Sequence, residues 1–323
     1  MKEPFLSDEA FLADVDAARK RAGILDLWWL GQSGFLIHHR ERWVLVDPYL
    51  SDSLTAKYAK TDKPHVRMTR RVVGPVELVK RIGVPVTITA SHAHTDHLDP
   101  DTLKPIASLA NKFIVPRSSI DLARDRSDVS TPAHPVIYET TDDNSVNQIG
   151  GAAVRITAIP SAHETIERDD NGNCKFLGYV FEFYSTFVSA RAGGANTMIG
   201  KEWTVYHSGD TVLYDGLVEK LRPFKIDIAL LPINGRAPER RVAGNLTGPE
   251  AAGLAKKIKA KLVIPCHYDM FEFNTASPDE FVAECQRLKQ PYRVLRQGER
   301  FSTSEMPTRT HHRGTENTEN APG

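Results

Sequence analysis

Short apolar runs rich in β-branched and aromatic residues recur along the chain, and most are closed by a polar or charged residue. Runs of this kind read as buried strands. The first three are Leu27–Leu30, Phe35–His39 and Trp43–Pro48. The turn Gly31-Gln32-Ser33-Gly34 and the charged Arg40-Glu41-Arg42 separate them, which predicts an antiparallel meander. His38 and His39, next to the charged turn, read as hairpin surface. Ahead of the meander, Ala10, Phe11, Val15 and Ala18 recur at helical spacing, so residues 8–22 form a helix with Ser7 as N-cap and Gly23 as its end.

Helices then alternate with strands. The pattern predicts a helix over 75–82, a strand over 84–90 and a helix from Asp99 to about residue 110, with Pro100 in its first turn. A strand over 113–116 follows, then a helix over 118–126 capped by Ser118 or Ser119. The layout then repeats. Strands are expected over 152–159, 175–183, 203–211, 226–232 and 261–265, with a glycine-containing hairpin extension over 184–201. Thr247 and Glu250 make a capping box for a helix to about residue 259. A helix over 277–289 and a strand over 292–296 close the pattern. No linker rich in Pro, Gly or Ser divides the two halves. We therefore expect one domain over 1–303 with two stacked sheets, and a polar, disordered tail over 304–323.

Composition changes this picture little. Of 323 residues, 41% are hydrophobic and 25% charged, which is ordinary for a globular protein. Lys plus Arg and Asp plus Glu balance at 41 each, so no global field favours nucleic acid or an anionic membrane. Three cysteines without paired spacing, Cys174, Cys266 and Cys285, fit a reducing compartment. With neither an apolar signal core nor a membrane-length apolar run, a cytoplasmic protein is expected. One segment departs from the balance. Over 54–71, Lys57, Lys60, Lys63, Arg67, Arg70 and Arg71 face the single acid Asp62. This is either a solvated loop or a cationic rim that recruits an anionic substrate.

The candidate chemistry lies at strand ends. Ser91-His92-Ala93-His94-Thr95-Asp96-His97-Leu98-Asp99 follows an apolar strand. Residues two apart point the same way in extended backbone, so His92 and His94 can close on one metal while Asp96 and His97 turn toward a second position. Asp47, His163, Asp210 and His267 stand at other strand ends. A set of imidazoles and carboxylates without thiolate suits zinc, iron or manganese. Cys266 should face away from His267 as a buried thiol. His65, His134, His311 and His312 are not expected to be ligands.

This layout resembles the metallo-β-lactamase superfamily over about residues 24–302. The resemblance implies an α+β fold, the four-layer αββα sandwich of two mostly antiparallel sheets with helices on the outer faces. It further implies that His92, His94 and His163 hold one divalent metal, that Asp96, His97 and His267 hold a second, and that Asp210 bridges them, with a hydroxide shared between the metals. Asp47 would hold a ligand in place rather than bind metal. Three stretches, Trp28-Trp29-Leu30-Gly31, Tyr206–Thr211 and Lys261–Asp269, resemble the L-ascorbate-6-phosphate lactonase branch. That implies a hydrolase opening a sugar lactone, phosphorylated or not, with zinc or manganese at one or two ions per chain. Asp96 or Asp210 would take the proton, and His207 would either orient Asp210 or protonate the leaving group. Asn234 and Arg236 would contact substrate, Arg236 through a phosphate. The partner expected is a small anionic molecule, not nucleic acid or membrane, and a homo-oligomer fits that family's assemblies. Two alternatives stand beside this reading. One is a phosphodiesterase of phospholipase or cyclic-nucleotide type, since N-acyl-ethanolamine-type phospholipases and tRNA 3′-end endonucleases resemble the His-x-His-x-Asp-His and Gly-Asp-Thr elements. The other is a metal-binding protein without activity.

Overall fold

The computed structural model describes residues 1–21, 23–83, 86–110, 112–128, 136–140, 146–148, 154–188, 197–240 and 243–306. Its elements run α1 (Asp8–Arg19), β1 (Leu25–Gly31), β2 (Gly34–His39), β3 (Arg42–Val46), α2 (Ser53–Tyr58), α3 (Pro75–Ile82), β4 (Val86–Thr89), α4 (Pro100–Leu103), β5 (Lys112–Pro116), α5 (Ile120–Ser127), β6 (Val136–Thr140), β7 (Val146–Gln148) and β8 (Val154–Pro160). They continue as β9 (Leu177–Val188), β10 (Thr197–His207), α6 (Leu217–Leu221), β11 (Ile228–Pro232), α7 (Gly248–Lys257), β12 (Leu262–Cys266), α8 (Asp279–Leu288) and β13 (Arg300–Ser302). The strands form a seven-stranded sheet, ordered β13-β1-β2-β3-β4-β5-β6, and a six-stranded sheet, ordered β12-β11-β10-β9-β8-β7. Each sheet is antiparallel on one side and parallel on the other: β3 to β6 in the first, β10 to β12 in the second.

Strand periodicity explains the layers. Along β1, Leu25, Leu27 and Trp29 point into the core shared with the second sheet. Trp28 and Leu30 point the other way, into a second core with Phe11 and Val15 of α1 and Leu78 and Ile82 of α3. Both faces are therefore covered, and the strand reads as an unbroken apolar run rather than as an alternation. On the second sheet, Leu254 and Ala255 of α7 and Phe281 of α8 join the shared core. This is the expected αββα sandwich.

Several elements differ from the sequence reading. His38 and His39 are buried, because β2 is an interior strand covered on both faces. His38 stacks on Trp43 with ring centroids 4.0 Å apart, and His39 meets Glu202 at 2.8 Å. The helix expected from Asp99 to residue 110 breaks after Leu103 into a 3-10 turn, Lys104–Leu109. Pro105 is the cause, since its ring cannot continue an α-helix. Part of the cationic segment is helical, as α2. The strand expected over 292–296 forms no ladder. Only Tyr292 bridges, to Val263, while Leu295 is buried by loop packing. The closing strand is β13, which returns to pair with β1. The capping box of Thr247 and Glu250 forms as expected. Among the described residues no helix is long and apolar enough to cross a membrane. His134, Gly193-Gly194, His311, His312 and most of the expected tail lie outside the described residues.

Candidate metal centre

Strands that run in the same direction within each sheet bring their C-terminal ends to one edge of the sandwich. Asp47 follows β3, Ser91 to His97 follow β4, His163 follows β8, Asp210 follows β10 and His267 follows β12. All seven residues expected to hold metal come together. Donor atoms of His92, His94 and His163, of His92, His97 and Asp210, and of Asp96, His97 and His267 each lie within 4.8 Å of one another. Asp210 reaches across these groups. One oxygen lies 3.4 Å from His97 Nε2, and the other lies 3.7 Å from His163 Nε2 and 3.6 Å from His267 Nε2. Asp96 stands 3.5 Å from His267 Nε2 and 3.7 Å from His97 Nε2. His92 Nε2 and His97 Nε2 are buried with no hydrogen-bond partner. Unpartnered buried imidazole nitrogens are costly unless a cation takes their lone pairs, so the residues present fit a metal.

The ligands are held from beneath. Asp47 is fully buried, and its carboxylate accepts from Ser91 N at 2.7 Å, from Ser91 Oγ at 2.6 Å and from His97 Nδ1 at 2.6 Å. It fixes which nitrogen of His97 faces the centre. His163 Nδ1 donates to Gly244 O at 2.8 Å. Charge alternates through the group. Burial pushes the His267 imidazole down, but Asp210 and Asp96 outweigh it and raise its pKa to about 9. His97 is raised in the same way by Asp210, Asp96 and Asp47 against its burial. For Asp210, burial works upward, and His97 and His267 bring the pKa well below the usual carboxylate range. Protons here occupy the places a divalent ion would take, so metal uptake must release them.

Residues 42–268 match the model of the beta-lactamase superfamily domain. The chain belongs to the metallo-β-lactamase superfamily. Within that superfamily it is similar to a UPF0173 metal-dependent hydrolase of Bacillus cereus, 32% identical over 66% of this chain and 79% of the relative. Another from Hyperthermus butylicus is 25% identical over 83% of this chain and 93% of the relative. The solved structure of Igni18, a metallo hydrolase of Ignicoccus hospitalis, shares the fold with a TM-score of 0.57 at 20% identity, over 86% of this chain and 98% of that one. Superfamily membership and these relatives make the chain a metal-dependent hydrolase.

Not every expected residue reaches the superfamily's metal edge in the way foreseen. His207 is fully buried beneath it. Its Nε2 donates to Ser33 O at 2.9 Å and its Nδ1 accepts from Gly209 N at 3.2 Å. Both nitrogens are thus engaged by backbone, an arrangement that shapes the loop before Asp210 and leaves no proton to offer a leaving group. Arg236 pairs with the capping-box Glu250 and bonds Asn245 O, away from the cavity. Asn234 is buried and donates to Asn274, which does line it. Cys266 is a buried thiol, as expected.

Two contributors were missed. Gln32 Nε2 donates to Asp96 at 3.2 Å, and Gln32 O accepts from His267 N at 2.8 Å. Ser33 Oγ lies 3.5 Å from Asp210. In sequence these residues sit between two glycines and read only as a turn, although a polar pair following the apolar Trp29-Leu30 run was the available signal.

Above the centre opens a cavity of about 390 Å³. His94, Asp96, His163, Asp210 and His267 form its floor, and Lys57, Tyr58, Lys63, His65, Arg126 and Asn274 stand around it. Of the six cations expected in the rim, Lys57 and Lys63 are there. Arg67 lies below, bonded to Asp52 at 2.6 Å and to Ser51 O. Arg70 pairs with Glu3 and Asp8 at the surface.

Proposed function

We propose that this metal-dependent hydrolase opens the lactone of a small anionic sugar acid in the cytoplasm, using zinc or manganese at one or two ions per chain. The observation that carries the reading is Asp210, placed within 3.4–3.7 Å of three ring nitrogens on the floor of a cavity whose wall bears Lys57 and Lys63. When bound, the metal supplies a water acidic enough to deprotonate near neutral pH and a Lewis acid for the carbonyl oxygen. The chain's own residues do the rest. Asp96 is the more accessible of the two carboxylates and receives the proton, with Gln32 fixing its orientation. Asp47 and Ser91 keep His97 in one tautomer. Lys57, whose ammonium donates to Thr95 at 3.3 Å, draws the anionic end of the substrate to the mouth. The likeness of Tyr206–Thr211 and Lys261–Asp269 to the ascorbate-phosphate lactonases supports a lactone.

The test is hydrolysis after reconstitution with manganese or zinc, comparing a phosphorylated sugar lactone with a bis-nitrophenyl phosphodiester, and His92→Ala as the blank. Lactone opening that disappears in the variant is the expected result. Phosphodiester cleavage alone would overturn the lactone reading and leave the phosphodiesterase in its place.

A further inference from the structure

Arg126 closes α5, remote in sequence from the ligands, yet its side chain enters the wall of the metal cavity. One terminal nitrogen, Nη1, donates to Ala93 O at 2.6 Å and to Leu98 O at 2.8 Å. These two carbonyls bracket His94, Asp96 and His97, so a single guanidinium nitrogen ties the two ends of the ligand-bearing loop. Among the described residues, Nε and Nη2 have no protein hydrogen-bond partner, and no carboxylate lies within ion-pair distance. A half-buried guanidinium with one edge fixed and its other edge open on a cavity is preorganised for an anion that offers two oxygens side by side, as a phosphate does, which the planar guanidinium binds in a forked geometry. Burial pushes the Arg126 pKa down, with Asp99 and Asp125 opposing. Divalent ions in the ligand set would leave Arg126 and Lys57 beside a cationic floor, and an anionic ligand relieves that repulsion.

We propose that Arg126 serves both sides of the cavity wall: Nη1 positions the metal-bearing loop, and the open edge binds the phosphate of the substrate and so sets the preference for phosphorylated over unphosphorylated molecules. The proposal rests on the lactone reading for the substrate class, and its test is a binding measurement that needs no turnover. Calorimetric titrations would compare 6-phosphogluconate with gluconate on the manganese-loaded protein, in the wild type, Arg126→Met and Arg126→Lys. Both ligands carry the same carboxylate, so their difference isolates the phosphate. Metal content is measured on the same samples.

The wild type should bind 6-phosphogluconate at least tenfold more tightly than gluconate. Arg126→Met should lose that tenfold preference, read as the ratio of the two affinities at matched metal content. If Arg126→Met also loses metal or fails to fold, Arg126→Lys decides. Its ammonium satisfies the loop carbonyls but lacks the second edge, so metal content should hold while the phosphate preference falls. A preference that survives in a metal-loaded Arg126 variant would overturn the proposal. So would a wild type with no preference, or parallel weakening of both ligands that follows metal loss in both variants. Failure of lactone opening with an Arg126-dependent preference intact would strike the lactone reading alone.

Discussion

The two halves of the candidate metal centre are built differently. From the first sheet, His92, His94, Asp96 and His97 come from one loop after β4, fastened by Asp47, Ser91 and Arg126. From the second sheet, His163, Asp210 and His267 come one at a time from three separate strand ends, and backbone fixes two of them: Gly244 O holds His163, and Gln32 O holds the peptide nitrogen of His267. A ligand cluster on one loop needs side-chain clamps, because loop backbone is otherwise free to rearrange. Single ligands at strand ends inherit their positions from the sheet. Errors in the first half should therefore appear as loosened metal, and errors in the second as lost stability or a broken link between the two sets of candidate ligands.

The largest expected effect is where the halves meet. Asp210→Ala removes the group that spans both sets, and should lower kcat/KM at least about a thousandfold, measured on whichever ester or lactone the wild type turns over. Next is the clamp of the first half. Asp47→Ala should weaken metal affinity by about 10- to 100-fold in a competition titration with a chromogenic chelator, while Tm of the metal-free protein changes far less than affinity does. An Asp47→Ala protein with wild-type metal affinity would erase the contrast.

Backbone is the sensitive point in the second half. Gly209 has φ +59°, and a Cβ there would sit 2.7 Å from Ser91 Cβ and 2.8 Å from Leu177 O. Gly209→Ala should cost about 3 kcal/mol, read as a lowered urea midpoint, and should shift Asp210 as well. A smaller effect comes from the layer outside the first sheet. Burial lowers the His38 pKa to about 4, against about 6.5 in the unfolded chain. Below pH 6.5 the unfolded chain takes up a proton that the folded one refuses. The His38 contribution to stability should therefore fall by about 3 kcal/mol as pH drops from 6.5 to 4 and level off below that, and His39, whose pKa burial also lowers to about 4, should add a similar loss. His38→Leu should flatten the slope of urea midpoint against pH. Least affected should be Arg236→Ala, with activity changed less than about twofold, because its guanidinium serves the α7 cap. A tenfold rise in KM would return Arg236 to the substrate.

The seven metal-facing residues were legible because each follows a buried strand and has no other business there. A polar residue at the end of an apolar run is cheap to place and easy to see. What supports them was harder to read. Gln32 and Ser33 look like turn residues until the fold sets their turn against Asp96 and His267. Arg236 also follows a strand, but Glu250, fourteen positions on, claims it. Only the packed structure shows that competition. His38 and His39 misled because a charged turn sits beside them, while coverage of β2 is decided by α1 and the second sheet. β13 spans just three residues, too short for any alternation, and the neighbouring 292–296 run shows a better pattern without making a ladder.

That short strand has a consequence for how the protein is made. Among the described strands β13 is the last to be translated, and it covers the edge of β1, the first of them. A ribosome adds about 5–20 residues per second. Between emergence of the two strands, on the order of ten seconds to a minute, the nascent chain carries an open hydrogen-bonding edge beside Trp28 and Trp29. His267 also emerges late, so the complete metal centre cannot exist on a half-made chain. Translation arrested before residue 300 should yield a chaperone client with the β1 edge uncovered, and arrest before residue 267 one that also lacks a ligand of the centre, even though most of the sandwich has already been synthesised.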